Sequence, residues 1–116
     1  MNALRKKMKI KNQKSKIKNR TIPFQTIIET VSDYFQIDED IIASSSRRQE
    51  IVRARQLAIY FTKRLTNLTL KRIGAHLGGR NHSTIAYSLR MVSERIEIDR
   101  HFNGIVCELE EKVGGW

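Results

Sequence analysis

The stretch from residue 74 to residue 85 carries side chains suited to reading nucleic acid. It runs GAHLGGRNHSTI, in which Gly78 and Gly79 interrupt a short apolar helix and a second helix starts at once. In a helix-turn-helix, the first turn of the second helix is where side chains meet base edges in the major groove. We therefore predict DNA contacts from this turn and helix start, made by Arg80, Asn81, His82, Ser83 and Thr84.

These residues have a structural explanation as well as a functional one. Asn81 is a good N-cap, because its side-chain oxygen can accept a hydrogen bond from a first-turn amide. A polar helix start without a ligand would need no more than that. The apolar stripe of this helix begins only at Ile85, however, so residues 82–84 lie at the helix tip. Thr84 also offers a methyl group that suits a thymine methyl, which favours the DNA interpretation.

The net charge of +10 is unevenly placed along the chain. Residues 47–90 hold ten Lys or Arg against one acid, whereas residues 21–46 hold five acids and no base. A folded segment so basic repels itself unless a polyanion relieves it. Residues 1–20 hold nine Lys or Arg, no acid and no helical or strand period. We predict a disordered basic arm at 1–20, a helical domain at 21–116, and double-stranded DNA as the partner.

The basic helix before the motif offers further contacts. Arg55 can grip guanine or phosphate with two parallel hydrogen bonds, and the adjacent Gln56 can pair with adenine in the same way. Lys63 lies seven residues after Gln56 and so shares its helical face. Arg47 and Arg48 follow a serine run that is typical of a flexible loop, from which an arginine could enter a narrow A·T-rich minor groove. All five residues are candidate DNA contacts.

The elements that must position these side chains are predicted to be helices. Apolar residues recur at helical spacing, and no stretch sustains the alternation of a strand. The predicted helices span about 23–36, 49–66, 82–98 and 99–113, with a short turn after Asp38 and a short helix capped by Thr69. The predicted fold class is therefore all-α, with a helix-turn-helix at its centre.

Several other functions are disfavoured by the composition. The single cysteine, Cys107, allows neither an internal disulfide nor a cysteine-rich zinc module, and no apolar run approaches membrane-spanning length. We expect the acids at 38–40 and 108–111 to cap or solvate helices rather than catalyse, and Arg64 to lie on a solvated basic face. The chain is thus predicted to be a cytoplasmic, nucleoid-associated protein that is not an enzyme and uses no metal or cofactor.

Two motifs resemble one known family. Residues 78–85 (GGRNHSTI) and, upstream of them, residues 52–58 (VRARQLA) look like the C-terminal DNA-binding signature of the bacterial replication initiator DnaA. The resemblance covers about residues 24–113. It implies an all-helical fold like that of the Trp repressor, and binding as a monomer to the asymmetric, A·T-rich DnaA box. A role in initiating DNA replication, or in regulating it, follows as an expectation.

The resemblance also implies roles for individual residues. Arg47 resembles the minor-groove arginine of the family, and Arg55, Gln56 and Lys63 resemble contacts made from its basic helix. Residues 81–84 resemble the major-groove and phosphate contacts of its recognition helix. Among residues 81–84, position 81 is Asn where many members have Asp, and position 83 is Ser where many have Thr. Both differences keep hydrogen-bonding capacity and leave the fine specificity open.

A full initiator carries an ATPase module before this domain, and here only the basic arm precedes it. The chain is therefore either a stand-alone DnaA-box binder, which the initial Met slightly favours, or a piece of a longer protein. Two other functions stay open. The chain could be a basic RNA- or ribosome-associated protein that uses its arm, or an interaction module that recruits full-length DnaA through its acidic helices.

Overall fold

A computed structural model describes residues 22–114, and over that range the fold is entirely helical. Its helices are α1 (Phe24–Phe35), α2 (Glu39–Ile42), α3 (Gln49–Leu65), α4 (Leu70–His76), α5 (His82–Ile98) and α6 (Arg100–Gly114). The predicted all-α class is confirmed, and each predicted helix agrees with an observed one to within one or two residues. The predicted arm at 1–20 lies outside the described residues. Among residues 22–114, no helix combines the length and the hydropathy of a membrane span.

Local signals in the sequence set several helix ends. Thr69 and Asn81 each accept a hydrogen bond from the backbone amide three residues further on, as their predicted capping roles require. Asp99 does the same for α6, since its Oδ1 accepts from the Phe102 amide at 3.0 Å and its Oδ2 from Arg95 Nε at 3.3 Å. The Phe102 amide and the Arg95 guanidinium hold the pKa of Asp99 below its usual value.

The core is built around α3, which lies between two apolar clusters. The first cluster joins α1, α3, α5 and α6 through residues that include Ile27, Leu57, Phe61, Val92 and Leu109. The second joins α1 to α5 through residues that include Ile28, Ala58, Ile73, Leu77 and Ile85. At the start of α3, Ala54 is buried in this core and Val52 is only half-buried. The helix-turn-helix is therefore fixed to the domain through a shared core.

The turn between α4 and α5 depends on three glycines. Gly78 and Gly79, predicted to interrupt the helix, have φ angles of +82° and +74°, the left-handed region that favours glycine. Gly74 lies inside α4, and its carbonyl oxygen accepts from the amides of Gly79 and Arg80, both at 3.0 Å. A Cβ on Gly74 would lie 1.9 Å from the Arg80 carbonyl oxygen. Only glycine at position 74 lets the turn fold back so closely.

The acids of α6 differ from their prediction. Glu110 is only 7% exposed and accepts from Arg64 Nη2 at 2.9 Å, because α6 packs beside the last turns of α3. The expectation that these acids merely cap or solvate helices is wrong for Glu110, and the expected solvated Arg64 is half-buried in this ion pair. Glu108 accepts from the Tyr34 hydroxyl at 2.6 Å, and this hydrogen bond, together with burial, raises the pKa of Tyr34 to about 12.

Candidate nucleic-acid interface

The tip of α5 presents three exposed side chains. His82, Ser83 and Thr84 form the first turn of the helix, and all three are exposed. Within the described residues, their side chains make no hydrogen bond to protein. Asn81, also exposed, accepts from the Thr84 amide through its Oδ1 at 2.9 Å. The apolar stripe begins at Ile85, which is fully buried, so the tip projects from the domain while the next residue anchors it.

The loop between α2 and α3, residues 43–48, carries two exposed arginines. Arg47 and Arg48 are both exposed, and Arg48 Nη2 lies 3.0 Å from Glu50 Oε2 in an ion pair whose side chains are 75% and 57% exposed. An ion pair so exposed to solvent is worth little, so it leaves Arg48 free to exchange partners. Both predicted minor-groove candidates therefore stand at the surface.

Serine side chains make local hydrogen bonds along this loop, whose serine run is typical of a flexible segment. The Ser44 hydroxyl donates to the Ile41 carbonyl at 2.6 Å and accepts from the Ser46 amide at 3.2 Å. The Ser46 hydroxyl in turn accepts from the Arg48 amide at 3.2 Å. Local bonds of this kind satisfy loop backbone groups that no helix reaches. The loop thus offers its arginines from a defined backbone.

Arg55 lies beneath the loop. Its side chain is only 8% exposed, and its guanidinium donates from Nε to the Ile42 carbonyl at 2.8 Å and from Nη2 to the Ser46 carbonyl at 2.9 Å. Burial, and secondarily the positive charge of Arg80, lower the pKa of Arg55. A direct DNA contact by Arg55 stays a prediction, and its burial disfavours it.

Arg80 reaches the same loop from the turn before α5. Its Nη1 donates to the carbonyls of Ala43, at 3.1 Å, and Leu77, and its Nη2 donates to the Ser44 carbonyl at 2.6 Å. Arg80 is a predicted DNA contact, and its sequence neighbours give no sign of these hydrogen bonds to protein. A local sequence pattern cannot predict these hydrogen bonds, because two of the three acceptors lie 36 and 37 positions earlier in the chain.

The remaining two candidates lie on α3. Lys63 is exposed, whereas Gln56 is half-buried and lines an open groove with Tyr87 and Met91 of α5. Seven residues of helix separate Gln56 from Lys63, which corresponds to about 10 Å along the axis. Arg80, next to the α5 tip, therefore links that tip to the loop 43–48 through hydrogen bonds. Gln56 lies beside α5. Lys63 lies towards the other end of α3.

Comparison with known proteins identifies the same part of the chain. The family described as bacterial DnaA protein helix-turn-helix matches residues 24–92. The chromosomal replication initiator protein DnaA of Flavobacterium psychrophilum is 35% identical over 94 residues, which are 81% of this chain and 20% of that protein. The protein of the same name from Thermus thermophilus is 39% identical over 85 residues, 73% of this chain and 20% of the relative.

A solved structure extends the comparison to the fold. The crystal structure described as a DNA replication initiation factor superimposes with a TM-score of 0.70 at 23% identity, covering 94% of this chain and 31% of that chain. At this identity the match shows a shared fold. The chain spans about a fifth of the length of the two initiator proteins it matches.

Proposed function

The chain belongs to the bacterial DnaA helix-turn-helix family, and from that premise we propose that it binds double-stranded DNA at an asymmetric, A·T-rich site like a DnaA box. The observation that carries the proposal is the exposed tip of α5, where His82, Ser83 and Thr84 are free of partners within the described residues. A helix of this shape fits the major groove of B-form DNA and brings its first turn to the base edges.

The other candidates would supply positioning and minor-groove contacts. Arg47, with Arg48 beside it, would enter the adjacent minor groove, whose negative potential is strongest where A·T pairs narrow it. Lys63 would contact phosphate from α3, and such contacts orient a protein without reading sequence. Gln56, on the same helix, would pair with adenine. The biological role we propose is in the initiation of DNA replication or in its regulation, because the relatives are named as chromosomal replication initiators.

Selection from a random duplex library, followed by sequencing of the bound DNA, would test the proposal directly. We expect one asymmetric, A·T-rich consensus to be enriched. Structured RNA should compete weakly, because the major groove of A-form RNA is too deep and narrow for a helix tip. Enrichment of no consensus, with equal competition by RNA, would favour the alternative of a basic RNA-associated protein.

Single substitutions at the α5 tip would then test which residues read the bases. His82→Ala and Thr84→Ala should each weaken binding to the selected duplex by about 1–3 kcal/mol and weaken binding to scrambled duplex much less. His101, which is exposed on α6, provides the matched control, and His101→Ala should leave both affinities unchanged. Equal losses on both duplexes would show that the tip does not read sequence.

The remaining alternative is an interaction module that recruits a full-length initiator. Two of the acidic residues that such a module would use already have partners within the fold. Glu110 forms an ion pair with Arg64, and Glu108 accepts a hydrogen bond from Tyr34. A pull-down with an intact DnaA protein, in the presence of nuclease, would separate a protein contact from one bridged by DNA. Retention after nuclease treatment would support the interaction module.

A further inference from the structure

Two arginines hold the loop 43–48 in place, Arg80 against the turn of the helix-turn-helix and Arg55 against α3. We call the guanidinium groups of Arg55 and Arg80 the arginine clasp. Between them they donate to the carbonyls of four residues in or next to the loop and one in the turn, namely Ile42, Ala43, Ser44, Ser46 and Leu77. Within the described residues, neither guanidinium forms an ion pair with a carboxylate.

The loop and the turn are in direct contact as well. A Cβ on Gly78 would lie 2.5 Å from the Ala43 carbonyl oxygen and 2.7 Å from Arg80 Nη1. Position 78 therefore accepts no side chain without moving the loop, the arginine or both. The backbone of the turn, the clasp and the loop form one packed unit.

From this geometry we infer that Arg55 and Arg80 are positioning residues, which fix the loop bearing Arg47 relative to the α5 tip. The inference rests on the proposed function, since it concerns how one DNA site is read in two grooves. Arg80 immediately precedes the N-cap of α5, and the Ser46 carbonyl held by Arg55 immediately precedes Arg47. Part of the sequence preference is then set by residues that do not touch the DNA.

The substitution Arg80→Lys should affect DNA affinity differently if Arg80 contacts phosphate than if it positions the loop. Lysine keeps the positive charge that a phosphate needs, but it lacks the planar fork that reaches several carbonyls at once. If Arg80 contacted DNA phosphate, Arg80→Lys would leave most of the affinity intact. If it positions the loop, Arg80→Lys would remove most of what Arg47 contributes while the charge stays the same.

A double-mutant cycle on the selected duplex separates the two roles. We expect Arg47→Ala to weaken binding about tenfold in the wild-type chain and about twofold or less in the Arg80→Lys chain, because contacting or mechanically linked residues are not additive. Lys63→Ala is the matched comparison, since Lys63 lies away from the clasp, and it should cost the same factor in both chains. An equal loss for Arg47→Ala in both chains would overturn the inference.

A second measurement needs no DNA. Trypsin cleaves after arginine, so the rates of cleavage after Arg47 and Arg48 in the intact chain report how firmly the loop is held. Arg80→Lys should raise these rates several-fold while cleavage after Arg100, at the start of α6, stays at its wild-type rate. Unchanged cleavage after Arg47 and Arg48, or a rise shared equally with Arg100 in a folded variant, would overturn the inference.

The two measurements also distinguish failure of the inference from failure of the proposed function. If no duplex is bound specifically but the loop is released selectively, the clasp stands and the DNA proposal fails. If the duplex is bound but the cycle is additive, the DNA proposal stands and the clasp fails. Should Arg80→Lys unfold, with all sites cleaved at the same rate, Arg55→Lys carries the same test, because Arg55 holds the loop through the Ser46 carbonyl.

Discussion

Two arginines from the two halves of α3, Arg55 and Arg64, are held in opposite ways. Near its start, Arg55 is buried against the carbonyls of Ile42 and Ser46, beside the positive charge of Arg80. In its last turn, Arg64 is held by the carboxylate of Glu110 at 2.9 Å. Each arrangement gives acceptors to part of a guanidinium, although Arg64 Nε is buried without a hydrogen-bond partner among the described residues. Only the second arrangement places a carboxylate against the positive charge.

The pKa shifts of the two arginines follow this difference. Burial and the nearby Arg80 both lower the pKa of Arg55. Burial would also lower the pKa of Arg64, but the hydrogen bond and charge of Glu110 outweigh it and raise that pKa. Uncompensated charge therefore remains where the loop and the α5 tip present the proposed DNA surface, and is neutralised where α6 packs. A field of one sign over a surface attracts a polyanion and speeds its association.

The largest effect we expect comes from a methyl group placed at the turn. Gly74→Ala would place its Cβ 1.9 Å from the Arg80 carbonyl oxygen. The backbone at positions 74 and 80 cannot separate easily, because the Arg80 amide donates to the Gly74 carbonyl at 3.0 Å. We expect a loss of about 3 kcal/mol in the free energy of unfolding, measured by urea denaturation, because overpacking on this scale forces the backbone apart.

Gly104 is the matched control for that substitution, because it lies within α6 and a Cβ added there would have nothing within 4 Å. Gly104→Ala should stabilise the protein by about 0.5–1 kcal/mol through helix propensity alone. If both glycines tolerated alanine equally, the close approach of the turn to Gly74 would not be a feature of the folded protein in solution.

Breaking the neutralised pair should affect stability and leave DNA binding alone. Arg64→Met leaves the buried Glu110 without its partner, and we expect a loss of about 2 kcal/mol, below the roughly 3–5 kcal/mol of a fully buried pair because Arg64 is partly exposed. The control is Arg90→Met, since the pair of Arg90 with Glu94 spans 3.9 Å at the surface and should cost about 0.5 kcal/mol or less. Similar losses in the two variants would contradict this account of Glu110.

Neighbouring residues on α3 should differ in their effect on salt dependence. Lys63 is exposed, whereas Arg64 is committed to Glu110. Each phosphate neutralised contributes about −0.9 to the slope of log affinity against log salt on B-form DNA. Lys63→Ala should therefore flatten the slope by about 0.9, and Arg64→Met should leave it unchanged in the folded protein. Flattening by both would mean that Arg64 exchanges Glu110 for phosphate on binding.

The smallest effect concerns Tyr34, whose hydroxyl donates to Glu108 and whose pKa is raised to about 12. A raised pKa in the folded state stabilises the protein fully below about pH 10 and less as the pH climbs from 10 to 12. Tyr34→Phe should cost about 0.5 kcal/mol near pH 7, the value of one exposed hydrogen bond, and should weaken the loss of stability above about pH 10. Thermal unfolding between about pH 7 and pH 11 would measure both, and identical alkaline profiles would contradict the contact.

The helices and their ends could be predicted because their signals are local. Thr69 and Asn81 cap the helices that follow them through their side-chain oxygens. Gly78 and Gly79 end the helix before the turn through their own positive φ angles. The apolar stripe that begins at Ile85 likewise follows from helical periodicity. These features need only a few neighbouring residues to be recognised.

The roles of individual arginines could not be predicted in the same way. The sequence around a basic residue on a helix does not show whether its side chain will face a carbonyl, a carboxylate or DNA. Arg80 bonds to carbonyls 36 and 37 positions away, and Arg64 pairs with Glu110 at a separation of 46. The need for glycine at position 74 has a similar origin, since the atom it must avoid belongs to Arg80 across the turn. Such constraints exist only once the helices have packed.

The cap of α5 restricts which base groups Asn81 can contact. A backbone amide only donates, so the Asn81 oxygen must face the Thr84 amide, and the side-chain nitrogen with its two hydrogens faces outward. At a major-groove edge, such a group matches the oxygen and ring-nitrogen acceptors of guanine, thymine and adenine and finds no partner in the exocyclic amine of cytosine. A carboxylate at this position would reverse that preference, because it offers lone pairs alone. In the proposed DNA complex, this one capping bond would therefore make Asn81 a donor and not an acceptor towards the bases.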